Sequence, residues 1–265
     1  MSDENTAQES KTEFTCKKIF FLYPSATVQN QIMTELYKNE FEIYIAKDHT
    51  RLAQVQNKYK ESVIFINIDE KMPAAECERW ISASLTTEPT LKIGVFSSNN
   101  DEEFRANFIK NNKLQCGFIN IKHDLSKTAG VILEMMNVMN VKGRRKYLRI
   151  SPDRDSIASI SIPVGGEFIK GVIKDISIVG FSCVFEGEPN LKKSTLIKDI
   201  QIKLQSMLLN VEAVVFGSRD HEQDNQTERI YVMLFTQRID TETRNTKIRT
   251  YIQKNLQQKM DTEIN

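Results

Sequence analysis

Apolar residues in the first half of the chain come in short unbroken runs, each followed by a stretch where they recur every three or four positions. Lys18 to Tyr23 (KIFFLY) is the first run, and Val28, Ile32, Met33, Leu36 and Tyr37 then share one helical face. The runs Phe41 to Ala46, Ser62 to Ile68, Leu91 to Phe96 and Cys116 to Ile121 repeat the pattern. Their helices carry Leu52, Val55 and Tyr59; then Cys77, Trp80, Ile81 and Leu85; then Phe104, Phe108 and Ile109; then Ile132, Leu133, Met136 and Met139. Strands that are apolar at nearly every position are buried on both faces, so five strand–helix repeats predict a parallel sheet covered on both sides by helices.

After residue 150 the period changes from near four to two. Ser156 to Val164 (SIASISIPV) alternates, and Gly165-Gly166 marks a hairpin turn. Further strands are expected at Glu167 to Lys174, Val179 to Phe185, Ile197 to Leu204, Leu208 to Phe216 and Arg229 to Thr236. Six short strands with Gly, Pro and Asn at their breaks predict a small antiparallel barrel. From Thr241 to Lys259, helical spacing of Ile248, Tyr251, Ile252 and Leu256 predicts a helix packed on the barrel or on a partner. The expected organisation is a disordered tail (1–14), an α/β domain (15–141), an arginine-rich linker and switch (142–150), and the barrel with its C-terminal helix (151–265).

The first half resembles a response-regulator receiver domain, which implies the flavodoxin-like (βα)5 doubly wound order. Its phosphorylation chemistry is incomplete. The first strand runs into Tyr23, Pro24 and Ser25 without a carboxylate, and the third ends in Asn67, Ile68, Asp69, with an amide where the phosphoacceptor is expected. Ser97 or Ser98 and Lys122 match the remaining positions, but magnesium lacks enough anionic oxygens. The reading is a structural or protein-interaction domain that is not phosphorylated. Met135, Met136 and Met139 are read as core packing against the sheet rather than a promiscuous surface.

Composition narrows the class. With 40% hydrophobic and 27% charged residues and a net charge of +1, the chain reads as globular, with no global field to attract nucleic acid or an anionic membrane. Cys16, Cys77, Cys116 and Cys183, with His49, His123 and His221, lie too far apart for a zinc or disulfide framework, so no metal or cofactor is expected. The polar first residues do not form a secretory signal, and no apolar stretch is long enough to span a membrane, which predicts a cytoplasmic location.

The functional signal stands at the barrel entrance. Lys142 to Arg149 reads KGRRKYLR, with five of eight residues cationic and Arg145 and Arg149 in an R-x-x-x-R pattern. Farther on, Asp175 to Gly180 reads DISIVG, a D-x-S-x-x-G pattern between two expected strands. This pair of motifs ahead of a six-stranded pattern resembles the PilZ family of bacterial cyclic di-GMP receptors, over roughly residues 142 to 260. The resemblance implies that Arg145, Arg149, Asp175, Ser177 and Gly180 bind that second messenger, with Arg144 as an additional contact. The chemistry suits the ligand. Arginine forks match phosphate oxygens or the O6/N7 edge of guanine. Asp175 accepts from the N1–H and amine of guanine, Ser177 donates to a phosphate or holds the turn, and Gly180 permits a positive φ and close approach to the base. Gly143 is the expected pivot through which a dianionic ligand fixes the angle between the domains.

Two other classes compete with a ligand-sensing adaptor that signals to a protein partner. One is a nucleic-acid binder using the basic linker, which would show a steep salt dependence. The other is a degenerate barrel serving only as an interaction scaffold. An enzyme is not expected, because no nucleophile–histidine or metal constellation stands out. Whether one ligand or an intercalated pair binds stays open.

Overall fold

The computed structural model describes residues 16–122, 124–143, 145–152, 158–223, 226–237 and 241–264. The expected tail, 1–14, lies outside the described residues.

The first unit is a parallel sheet of β1 (Ile19–Leu22), β2 (Ile43–Ala46), β3 (Val63–Asn67), β4 (Lys92–Ser97) and β5 (Phe118–Asn120), in the order β2-β1-β3-β4-β5. This is the flavodoxin-like order expected from the sequence. A π-helical stretch, Val28–Met33, runs into α1 (Thr34–Lys38); α2 (His49–Val55), α3 (Ala74–Thr87), α4 (Glu102–Asn112) and α5 (Leu125–Val138) follow. Alternate strand residues feed opposite cores. Phe21 and Phe65 pack with Ile32, Ile132 and Met136 on one side. Phe20 and Ile64 pack with Leu52, Ile81 and Phe108 on the other. Helices α2, α4 and α5 start at Asp48, Asp101 and Asp124, whose carboxylates accept from the first free backbone N–H groups. Each such cap stabilises its helix by about 1 kcal/mol.

The second unit contains β6 (Arg149–Ile150), β7 (Ala158–Val164), β8 (Glu167–Ser177), β9 (Gly180–Phe185), β10 (Leu196–Leu204), β11 (Met207–Gln223) and β12 (Gln226–Phe235). Strands β7 to β12 close an antiparallel six-stranded barrel in the order β8-β7-β10-β11-β12-β9, with β9 returning to β8. Two-residue β6 adds to the free end of β8. Gly165 and Gly166 turn β7 into β8 with φ of +63° and +93°, a conformation that glycine adopts without steric cost. Ile160, Ile162, Ile173, Ile176, Ile200 and Ile202 fill the interior.

Helix α6 (Thr241–Ile264) belongs to both units. Ile248, Tyr251 and Ile252 complete the barrel core. Met260 is buried in the first unit's core, and Leu256 packs against both. The Gln257 side chain accepts from the Ile45 N–H at 2.8 Å and donates to the Ile45 carbonyl at 3.0 Å, pairing the edge strand β2 as a neighbouring strand would. No helix among the described residues is long and apolar enough to cross a membrane.

Candidate ligand-binding face

Asp175 and Ser177 lie on a strand rather than in the gap expected after Lys174, and Gly180 lies on a strand as expected. Asp175 and Ser177 end β8, Gly180 opens β9, and only Ile178 and Val179 stand between. Arg149 pairs with Ser177, and Ser177 with Gly180, so the three form one row across β6, β8 and β9. Directly opposed residues in an antiparallel ladder share a face. The next row, Ile150, Ile176 and Phe181, is buried in the barrel core, which turns the Arg149 row away from that core; Arg149 is exposed there, while Ser177 and Gly180 are buried. Asp175, two positions before Ser177, shares that face and is paired with Ser182. A ladder irregularity between Ile173 and Asp175 separates this end of β8 from its regular part.

The side chains are already engaged with one another. The Ser182 hydroxyl donates to the Asp175 carboxylate. Ser177 Oγ donates to the Gly180 carbonyl at 3.2 Å, so of its two expected roles it here holds the turn. Gly180 corrects the sequence expectation, because its backbone is outside the left-handed region. Glycine is required there for another reason: a Cβ would stand 2.2 Å from the Met233 carbonyl oxygen of β12. The close approach is to the barrel's own backbone.

The arginine segment leaves the first unit through Gly143, at φ +60°. Arg144 lies outside the described residues. Arg145 lines a cavity of about 310 Å³ at the C-terminal end of α5, together with Lys142, Lys146, Asn137 and Asn140. The Lys142 ammonium sits 4.5 Å from the centre of the Phe41 ring, and burial lowers its pKa. The Leu148 N–H donates to Glu40 Oε2 at 3.1 Å. Glu40 Oε1 in turn accepts from Arg249 Nε of α6 at 2.8 Å. Arg149, Asp175, Ser177 and Gly180 therefore come together, whereas Arg145 lies on the α5 side. Both Arg145 and Arg149 are exposed, and neither has an ion-pair partner among the described residues. Sequence reasoning missed Ser182 and Glu40. Ser182 was detectable, since it follows Gly180 by two and so shares its face; Glu40 carries no sequence signal.

The strand ends of the first unit are closed on themselves. Asn67 ends β3 fully buried, its Oδ1 accepting from the Asp69 N–H at 3.1 Å, while its Nδ2 has no partner. Asp69 accepts from Ser97 Oγ at 2.7 Å and from the Ser98 N–H. Burial alone would raise the Asp69 pKa, but these donors and the Lys122 charge outweigh it and lower the pKa. Among the described residues no group of three His, Cys, Asp or Glu side chains is placed to hold a metal ion.

No family model and no curated protein matches the chain. Among solved structures it is similar to the PilZ domain of YcgR from Escherichia coli with c-di-GMP, at 17% identity and a TM-score of 0.40, covering 44% of this chain and 98% of that one. It is also similar to a response regulator from Thermotoga maritima (15% identity, TM-score 0.39, 46% and 99% covered). A further likeness is to the MrkH–c-di-GMP complex of K. pneumonia (23% identity, TM-score 0.36), where the match spans 40% of this chain and half of that one.

Proposed function

We propose that this chain is a receptor for cyclic di-GMP that reads the ligand on the outer face of its barrel and passes the signal to a protein partner. The observation that carries the reading is the row of Arg149, Ser177 and Gly180, with Asp175 on the same face. An exposed guanidinium beside a carboxylate suits a ligand that combines phosphates with guanines. Arg149 takes a phosphate or a guanine O6/N7 edge, and Asp175 takes the guanine N1–H and amine, which adenine cannot supply. Arg145, and with it Arg144, joins the site when the segment swings about Gly143. The ligand then converts the junction into a contact between the units, and α6, shared by both cores, carries the change. The expected setting is the cytoplasm of a bacterium.

Calorimetric titration with cyclic di-GMP tests this, with cyclic di-AMP and GTP as controls. Selective binding with a Kd of about 1 μM or tighter, about −8 kcal/mol, is expected. A folded chain with no preference among the three nucleotides would defeat the reading.

A further inference from the structure

We propose that Glu40 is a positioning residue that latches the arginine segment to the first unit and opposes its closure over the ligand face. The effect on ligand affinity rests on the receptor reading; the latch itself does not.

One carboxylate joins three parts of the chain that lie far apart in sequence. Glu40 belongs to the turn between α1 and β2 and is held at φ +61°, a region that non-glycine residues seldom occupy. Its side chain is buried, 6% exposed, and that of its partner Arg249 is 17% exposed. The two oxygens are divided between Leu148 of the arginine segment and Arg249 of α6. A hydrogen bond to a carboxylate is stronger than one between neutral groups, and more so away from water. Leu148 immediately precedes Arg149, the residue that stands in the ligand row. The latch therefore fixes the backbone between the two arginines while Arg145 points toward α5. Drawing Arg145 to the barrel face moves that stretch and breaks the Leu148 bond. Losing that bond costs free energy, which favours the ligand-free arrangement.

The test uses the full chain and hydrogen exchange at the Leu148 amide, with the Phe21 and Phe65 amides as the fold control. Glu40→Asn suits the left-handed backbone but is one methylene too short to reach either partner. It should speed exchange at Leu148 by about tenfold or more in the ligand-free chain, leaving Phe21 and Phe65 unchanged. Arg249→Leu removes the α6 anchor, together with the Arg249 pair to Glu242 in the same helix, and should give a smaller acceleration at Leu148. Cyclic di-GMP should bind the Glu40→Asn chain several-fold more tightly than the wild type. Unchanged Leu148 exchange in Glu40→Asn, with the control amides intact, overturns the latch. If the control amides lose protection, unchanged Leu148 exchange in Arg249→Leu overturns it instead. Weaker or equal affinity in Glu40→Asn overturns the opposition to closure. A wild-type chain that binds no nucleotide defeats the receptor reading, while the ligand-free exchange still decides the latch.

Discussion

The two units handle the polar residues at their strand ends in opposite ways. In the parallel sheet, Asp69 is held by Ser97 and Ser98, and Asn67 is buried beneath it. The Tyr23 hydroxyl lies 2.7 Å from His49 Nδ1, and His49 in turn stands near Glu76. Apart from Asn67 Nδ2, those groups are satisfied within the fold. On the barrel, Asp175 and Ser177 are likewise bonded, but Arg149 beside them is exposed without an ion-pair partner among the described residues. A polar cluster whose charges balance internally has little left for a ligand. A carboxylate–hydroxyl pair flanked by an unpaired guanidinium has something left to do.

The largest test of that contrast is removal of the cations. Charge-assisted hydrogen bonds contribute about 1.5–3 kcal/mol each. Arg149→Ala should therefore weaken cyclic di-GMP binding by about one to two decades by calorimetry, and the double variant with Arg145→Ala should abolish measurable binding. Normal binding by both single variants would erase the distinction between the units. Next comes Gly180→Ala, which drives a methyl group into the Met233 carbonyl and should cost about 2–3 kcal/mol in urea denaturation. Gly217→Ala is the control: nothing lies within 4 Å of its added methyl group, and the stability change should be within about 0.5 kcal/mol.

Much of this contrast was legible beforehand, and the exceptions have physical causes. The five strand–helix repeats were readable because buried parallel strands leave unbroken apolar runs. The barrel strands were readable from their period of two. Strand β6 was not, because two residues, Arg149 and Ile150, have no period. Strand β11 runs to Gln223, beyond the expected Phe216, because the outer part of the β11–β12 hairpin is held by polar pairs such as Asp220–Arg229 at 2.9 Å rather than by an apolar face. Helical spacing exposed the apolar stripe of α6 but not that Met260 at its end serves the other unit. Of the motif residues, Arg149, Asp175, Ser177 and Gly180 fall on one face and Arg145 does not; the pattern did not reveal that Gly180 answers to β12.

A smaller effect sharpens the reading of the sheet. Asn67→Asp restores a carboxyl at the end of β3, but in a buried position beside Asp69. Burial and the neighbouring charge should raise its folded pKa above the unfolded value. The variant should then be nearly as stable as the wild type below about pH 4 and lose about 2 kcal/mol as pH rises toward neutrality. Chemical denaturation from pH 4 to 8 measures this, and a flat difference would show that the site accommodates the charge.

The smallest effect concerns the thiols. Burial pushes Cys16 up to about 11 and Cys77 and Cys116 up to about 12, and it raises Cys183 as well. An alkylating reagent at pH 8 should label each at least tenfold more slowly in the folded chain than in urea. Rapid labelling of Cys16 alone would show that the strand entering the first unit opens independently of the sheet.

The pairing of Gln257 with Ile45 carries a consequence for synthesis on the ribosome. The two residues are 212 positions apart, so β2 is made long before the side chain that covers its outer edge. During elongation the nascent sheet presents an open row of backbone donors and acceptors, the kind of template on which chains join one another. A folded first unit is thus incomplete until the final helix arrives. Chains interrupted before Gln257 should be the ones that depend most on chaperones.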